Sequence, residues 1–187
     1  MTTPQTAMVL ASFVADSLAL GAHWIYDTAD IDRKFGRVEE LLAPGADSYH
    51  KGKERGAFTH YGDQTLVLLE SLAACGEFSP EDFARAWRGL FTGYQGYIDK
   101  ATAATVENMD HGLPFDQCGS RSSDLGGGAR IAPLVYRYHN DREALLAAVR
   151  SQTQLTHNNP ATLAGADFIA KVVYEVLRGT QPLTAME

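Results

Sequence analysis

Cysteine is scarce in this chain of 187 residues, and basic side chains are fewer than acidic ones, 16 against 23. Cys75 and Cys118 have neither a CxxC partner nor a histidine at zinc-finger spacing, which excludes a disulfide framework and a zinc module of that kind. The formal net charge of -7 argues against a nucleic-acid partner, because neutralising phosphates requires clustered Lys and Arg. A chain of this length can bury a sizeable core, so a single domain is expected.

The apolar stretch from Met8 to Tyr26 lacks the features of a signal peptide or a membrane span. No Lys or Arg precedes Arg33, and Asp16 and His23 interrupt the stretch. A secretory signal begins with basic residues, and a spanning helix needs a longer run without an ionised group. We therefore interpret the stretch as a buried core helix in a cytoplasmic protein, with no membrane as a partner.

Helix signals dominate the rest of the chain. A capping side chain precedes a proline at three places, and each pair predicts the start of a helix: Thr3-Pro4, Ser79-Pro80 and Asn159-Pro160. Three more helices are predicted from apolar spacing at about Thr65 to Cys75, Ala101 to Met109 and Asp141 to Gln154. Two long loops remain, from Asp27 to Gly62 and from His111 to Gly128. Alternating strand patterns are absent, so the fold class predicted is all-α.

Asp16 lies in a first helix that is apolar on nearly every side. A buried carboxylate is costly unless it is paired, hydrogen-bonded or bound to a metal, so Asp16 is a candidate functional acid. The alternative is a structural acid that bonds a neighbouring helix end or an arginine. The segment alone leaves these two interpretations level.

Asp63 falls at the predicted start of a helix, where an aspartate is most often an N-cap. A carboxylate at this position can also hold a hard cation such as magnesium, with oxygens from Gln64 and Thr65 beside it. Octahedral magnesium needs further oxygen ligands from elsewhere. Both interpretations stay open.

Gly126, Gly127 and Gly128 lead into a predicted helix that contains Arg130. Glycines at a helix start let backbone amides approach an anion such as a phosphate, and a close helix crossing is the equally plausible alternative. The spacing is not that of a dinucleotide-binding fingerprint. His157 lies in a turn, where its side chain either faces a cleft or caps the preceding helix.

These segments, in this order, resemble the ADP-ribosylglycohydrolase family. The matching segments are the Asp16 region from Val14 to Gly21, the helix start from Gly62 to Thr65, the run from Gly126 to Pro133, and Thr156 with His157. The residues in these motifs are most similar to those of the branch that includes selenoprotein J and the jellyfish crystallins. They cover nearly the whole chain, from the first helix to Val176.

The resemblance implies an all-α, orthogonal helical array around two magnesium ions, with a cleft that hydrolyses the glycosidic bond between ADP-ribose and a protein side chain or small molecule. It assigns Asp16 as the acid, and Asp63, Gln64 and Thr65 as metal ligands. Gly126, Gly127, Gly128, Arg130 and His157 become the substrate-binding residues. ADP-ribose or an ADP-ribosylated substrate is the implied partner.

The sequence departs from the family pattern at three places. The acid that many members carry shortly after the first-helix aspartate is not evident in the segment from Ala22 to Asp27. The N-terminal metal motif of the family, Thr-Asp-Asp-Thr, falls on Gly62 to Thr65, where only Asp63 and Thr65 match. The second acidic metal motif of the family has no counterpart, so residues 1–187 correspond to the N-terminal part of the full family domain. The alternative function is therefore a catalytically degenerate ADP-ribose-binding or structural protein of the crystallin type. Assembly into homo-oligomers stays open.

Overall fold

The computed structural model describes residues 2–187, and within this range it is a helical array without a strand. The prediction of an all-α fold is confirmed. The helices are α1 (Pro4–Ala19), α2 (Thr28–Phe35), α3 (His60–Cys75), α4 (Pro80–Leu90), α5 (Lys100–Asp110), α6 (Gly126–Ala129), α7 (Ala132–Arg137), α8 (Arg142–Thr156), α9 (Pro160–Leu177) and α10 (Pro182–Met186).

The three helix starts predicted from a capping residue and a proline are confirmed. Thr3, Ser79 and Asn159 are the N-caps of α1, α4 and α9, and each side chain accepts a hydrogen bond from a backbone N–H in the first turn. These bonds satisfy amide groups that a helix start otherwise leaves unpaired. The proline at N1 has no N–H to satisfy, so it costs nothing there.

The hydrophobic core lies between α3, α4, α7, α8 and α9. Trp87 and Phe83 from α4 are fully buried in it, together with Leu68 of α3, Leu134 of α7 and Leu145 of α8. The apolar spacing of three and four residues in α4 places its aromatic side chains on one face, which explains why that face is covered. Burying side chains of this size is the main favourable term in folding.

Two predicted boundaries were wrong. The loop expected from Asp27 to Gly62 contains α2, which Asp27 caps by accepting a hydrogen bond from Ala29 N at 2.9 Å. Helix α3 begins at His60 and not near Thr65, because Thr59 is its N-cap and accepts from Tyr61 N at 3.1 Å. Asp63 therefore lies inside the first turn of α3, and the N-cap interpretation of this residue was wrong.

The prediction that the first helix is buried was also wrong. Only Val9 and Ser17 of α1 are buried, whereas Leu10 and Val14 are 56% and 63% exposed. The helix packs on α3 and α7 along one side, so its other side remains open within residues 2–187. Among these residues no helix combines the length and the apolar character that crossing a membrane requires. Homo-oligomer formation and a cytoplasmic location stay predictions.

Candidate functional site

Asp16 meets the start of α3, 43 residues away in the chain. Its Oδ2 accepts a hydrogen bond from Thr59 N at 2.8 Å, and its Oδ1 accepts one from Thr59 Oγ1 at 2.6 Å. Gly62 lies directly against the carboxylate, and a Cβ atom at this position would overlap Oδ2 and lie 2.7 Å from Cγ of Asp16. Glycine is therefore required at position 62 because the carboxylate occupies the space of a side chain.

Burial raises the pKa of the Asp16 carboxyl group above its ordinary value. The hydrogen bonds from Thr59 oppose this shift, and the negative charge of Asp63 adds to it. A carboxyl group with a raised pKa holds its proton to a higher pH and is suited to donating it. The raised pKa fits the interpretation of Asp16 as a functional acid, and the bonds to Thr59 fit the structural interpretation, so both stay open.

Asp63 is bound by two side chains from distant parts of the chain. Its Oδ2 accepts a hydrogen bond from Lys53 Nζ at 2.6 Å and a second one from the hydroxyl of Tyr94. Burial is the main cause that raises the pKa of the Tyr94 hydroxyl, and its own hydrogen bond to Asp63 adds to the shift. The sequence placed Lys53 in a polar loop and gave no sign that it would meet Asp63.

Tyr61 lies in α3 between Thr59, which binds Asp16, and Asp63, and its side chain reaches the triple glycine. Its ring lies against Gly126, where a Cβ atom would come within 2.8 Å of Tyr61 Cε1 and 3.2 Å of His157 Cε1. Burial is the main cause that raises the pKa of the Tyr61 hydroxyl, and the nearby charge of Asp124 adds to the shift. The four segments singled out in the sequence are therefore neighbours in the fold, while their role as one functional site stays a prediction.

His157 and Asp124 form a hydrogen-bonded pair at the far side of Tyr61. His157 Nε2 lies 2.8 Å from Asp124 Oδ1, and His157 Nδ1 lies 2.8 Å from Thr156 Oγ1. The hydrogen bond to His157 holds the pKa of the Asp124 carboxyl well below its usual range. His157 is also the C-cap residue of α8, with its backbone N–H donating to the carbonyl oxygen of Thr153, and it is 4% exposed. The capping interpretation is therefore confirmed, while a substrate-binding role of His157 stays a prediction.

The triple glycine permits close packing of α6 on α8 and α9. A Cβ atom at Gly127 would lie 2.8 Å from Thr153 Cγ2, and Gly128 faces Ala166 at van der Waals distance. The N–H of Gly126 donates to Asp124 Oδ1 at 2.8 Å. The helix-crossing interpretation is therefore confirmed, while contact of these buried glycines with a substrate stays a prediction.

Gln64 and Arg130 lie in the interior, 2% and 1% exposed. Gln64 Oε1 accepts from Trp87 Nε1 at 2.7 Å and from Arg130 Nη1 at 2.9 Å, while Gln64 Nε2 donates to the carbonyl oxygen of His60 at 3.0 Å. Burial of the guanidinium lowers the pKa of Arg130 to about 10. Both side chains are thus parts of an internal hydrogen-bond network and do not line the surface of the site.

Replacing Gln64 by leucine should remove the common acceptor of two buried donors, the indole of Trp87 and the guanidinium of Arg130. We expect the free energy of unfolding to fall by about 2–4 kcal/mol, because each buried donor without a partner costs about 1–3 kcal/mol. Urea denaturation measures the loss. Gln95→Leu, at an exposed position, is the matched control and should change stability by less than about 0.5 kcal/mol.

Three histidines pack beside the site together with aromatic rings that the sequence analysis did not single out. His23 Nδ1 lies 2.6 Å from His50 Nε2, and the ring centroids of His50 and His60 are 5.7 Å apart. Trp24, with an unusual φ of 64°, stacks on His23. Positive φ at a bulky residue marks a backbone held by its surroundings. The cluster borders a cavity of about 320 Å³.

This histidine pair predicts loss of stability in mild acid. Burial lowers the pKa of both His23 and His50 to about 4, and neighbouring histidines add to the shift. Between about pH 6.5 and pH 4 the unfolded chain binds more protons than the folded chain, so the free energy of unfolding falls as the pH falls. Denaturation at about pH 7 and about pH 5 measures this slope.

The variant His50→Gln should reduce the slope, since one of the shifted groups is gone. His111→Gln is the control, because His111 is exposed. An equal slope in the wild type and in His50→Gln would show that the histidine cluster is not the cause.

The oxygen atoms at this site do not fit magnesium as they are arranged. Asp63 is bound to Lys53, Gln64 is neutral and fully hydrogen-bonded, and Thr65 Oγ1 donates to the carbonyl oxygen of Tyr61 at 2.8 Å. Among residues 2–187 no three side chains of His, Cys, Asp or Glu are grouped so that they could hold a metal ion. Magnesium prefers several oxygen ligands in near-octahedral geometry, which Asp63, Gln64 and Thr65 do not provide in this arrangement.

Comparisons with known proteins agree with this fold. A solved structure described as an "ADP-ribosylglycohydrolase-related protein complex" aligns with a TM-score of 0.78 at 24% identity, over 97% of this chain and 58% of that one. Crystallin J1A of Tripedalia cystophora is 26% identical over 192 residues, which are 94% of this chain and 59% of the crystallin. An uncharacterised protein of Archaeoglobus fulgidus is 24% identical over 166 residues, which are 88% of this chain and 53% of the relative.

The chain thus spans between half and three fifths of the length of the relatives that it matches. The family model described as ADP-ribosylglycohydrolase matches residues 5–187, which is nearly the entire chain. The order of the matching segments, their convergence around Tyr61 and this match lead to one conclusion. The chain belongs to the ADP-ribosylglycohydrolase family.

Proposed function

We propose that this protein is a hydrolase that cleaves the glycosidic bond between ADP-ribose and a protein side chain or small molecule. The observation that carries this proposal is the half-buried Asp16 carboxyl group, whose pKa is raised, beside Asp63 at the start of α3. Glycosidic hydrolysis commonly uses two carboxyl groups in different environments, one to donate a proton and one that stays charged.

In this reaction Asp16 donates its proton to the leaving group while the bond to the anomeric carbon of the ribose breaks. Water forms the new bond to that carbon and returns a proton to the Asp16 carboxylate. Positive charge develops on the sugar in the transition state, and the carboxylate of Asp63, whose charge already acts on Asp16, is the group that would stabilise this positive charge. Lys53 and Tyr94 hold Asp63 in place by hydrogen bonds. A held carboxylate needs no reorganisation as the charge forms, which is the advantage of such an arrangement.

The cavity beside the histidine cluster offers a place for the ADP part of the ligand. Its volume of about 320 Å³ lies within the range of small-molecule sites. Trp24 and Tyr49 supply aromatic surfaces on which a nucleobase can stack, and Lys34 supplies a cation for phosphate. The cavity adjoins His23, whose ring centroid lies 5.8 Å from that of Tyr61.

A second candidate function is ligand binding or a structural role without hydrolysis. The observation in its favour is the internal use of Gln64, which is neutral and directed into the core where the family motif has an acid. The similarity to crystallin J1A fits this candidate as well. It predicts binding of ADP-ribose, or no binding, without turnover of ADP-ribosylated substrates.

Two measurements separate these candidates. Calorimetric titration of ADP-ribose into the folded protein, with magnesium and again with EDTA, tests recognition. Release of ADP-ribose from ADP-ribosylated protein and from small ADP-ribosyl conjugates tests hydrolysis. Binding with release supports the hydrolase, binding without release supports the degenerate binder, and the absence of both supports the structural role.

A further inference from the structure

The ammonium group of Lys53 lies at the carboxylate that the family resemblance assigns to a metal. Lys53 Nζ is 2.6 Å from Asp63 Oδ2, and the two side chains are only 16% and 20% exposed. The hydroxyl of Tyr94 donates to the same oxygen, and the Lys53 ammonium lies 5.7 Å from the centre of the Tyr94 ring. This ion pair is shielded from solvent, so it is more than a surface contact.

The other oxygen donors near Asp63 are also in use. Both carboxylate oxygens of Asp16 accept hydrogen bonds from Thr59, and the hydroxyl of Thr65 donates within α3. A divalent cation at Asp63 would displace Lys53 or lie a few ångströms from its ammonium, where two positive charges repel each other. The ammonium of Lys53 already offsets the negative charge of Asp63, so this carboxylate attracts a dication less strongly than an unpaired one would.

We propose that the Lys53 ammonium takes the place of a divalent cation at Asp63, so that this chain uses a fixed side-chain cation where its family is expected to use magnesium. Nζ carries three N–H donors, and Asp63 is its one hydrogen-bond partner among residues 2–187. The other two donors are free to bind oxygen atoms of a ligand. That second role rests on the proposed function, namely recognition of an ADP-ribosyl group, whereas the replacement of the cation does not.

The first test uses magnesium alone, without any nucleotide. Wild-type protein is titrated with magnesium chloride up to millimolar concentration and followed by calorimetry and by the melting temperature. We expect no binding heat and no rise in the melting temperature. A saturable magnesium signal in the wild type would overturn the proposal.

The variant Lys53→Glu provides the complementary result. It replaces the ammonium by a third carboxylate near Asp16 and Asp63, which creates an acidic group suited to a hard cation. We expect its melting temperature to rise with added magnesium, because the cation relieves repulsion among the carboxylates. Lys51→Glu, which makes the same charge change at an exposed position two residues away, should show no such rise.

A second test uses ADP-ribose and examines the ligand role of Lys53. The wild type should bind ADP-ribose with equal affinity in magnesium and in EDTA, and Lys53→Met should weaken binding about tenfold or more. Lys51→Met should bind as the wild type does. Affinity lost on adding EDTA to the wild type, or unchanged in a folded Lys53→Met protein, would refute this role. If the wild type binds no ADP-ribose at all, the proposed function fails while the magnesium titration still decides on Lys53.

Discussion

Replacing Asp16 by asparagine is expected to lower the rate of ADP-ribose release by about 10²–10⁴-fold, the usual contribution of a positioned general acid. Asparagine has nearly the same shape as aspartate, and its oxygen and nitrogen can maintain the bonds to Thr59 N and Thr59 Oγ1. It cannot donate a proton to a leaving group. We therefore expect the affinity for ADP-ribose to change only slightly, while the single-turnover rate falls.

Asp110→Asn is the matched control variant. Asp110 is the last residue of α5, and its carboxylate forms an ion pair with Arg88 near the surface. This variant should hydrolyse at the wild-type rate. The pH dependence is a further readout, because a group with a raised pKa acts as an acid up to higher pH than an ordinary aspartate. An Asp16→Asn protein that turns over as fast as the wild type would show that Asp16 is only structural.

Replacing Gly62 by alanine is expected to lower the free energy of unfolding by about 3–5 kcal/mol. The added Cβ atom would overlap Oδ2 of Asp16 and lie 2.7 Å from Cβ of Phe58. The Asp16 carboxyl group would have to move away from Thr59, so its two hydrogen bonds with this residue are weakened in addition to the steric cost. Denaturant unfolding, with circular dichroism to verify the helical content, measures the loss.

Gly89→Ala is the matched control for this prediction. Gly89 is exposed near the end of α4, and a Cβ atom there meets nothing within 4 Å. Alanine is the better helix former, so this variant should gain about 0.5–1 kcal/mol. If Gly62→Ala were as stable as Gly89→Ala, the close approach of Asp16 to α3 would not exist in solution.

These two variants also separate stability from chemistry. Asp16→Asn keeps the contact with α3 and removes only the proton, whereas Gly62→Ala keeps the proton and disturbs the position of the carboxylate. Both should lose hydrolytic activity, but only Gly62→Ala should lose much stability. The same distinction applies to Lys53, whose replacement should alter the response to magnesium.

The site was predictable from the sequence to a limited extent. Asp16, Asp63, the triple glycine and His157 were singled out, and the structure brings their segments together around Tyr61. Lys53 and the histidine cluster were missed. Lys53 stands in a polar loop between glycines, a context that describes many surface lysines, and nothing local indicates that it reaches Asp63.

The sequence by itself determined where α1, α4 and α9 begin, because capping is a local interaction. Thr3, Ser79 and Asn159 each bond an amide two or three residues ahead, and this geometry needs no help from the rest of the fold. It also determined the all-α class, through apolar spacing that suits one face of a helix.

Only the tertiary structure decided what the polar residues of the site do. The position of Gln64 in a motif predicted a metal ligand. In the structure its side-chain oxygen accepts hydrogen bonds from Trp87 and Arg130, which are 23 and 66 residues away. Asp63 was predicted as a metal ligand too, and it accepts hydrogen bonds from Lys53 and Tyr94. The physical reason is that a buried polar group takes whichever partner packing brings within hydrogen-bond distance, and packing joins segments that a local pattern does not relate.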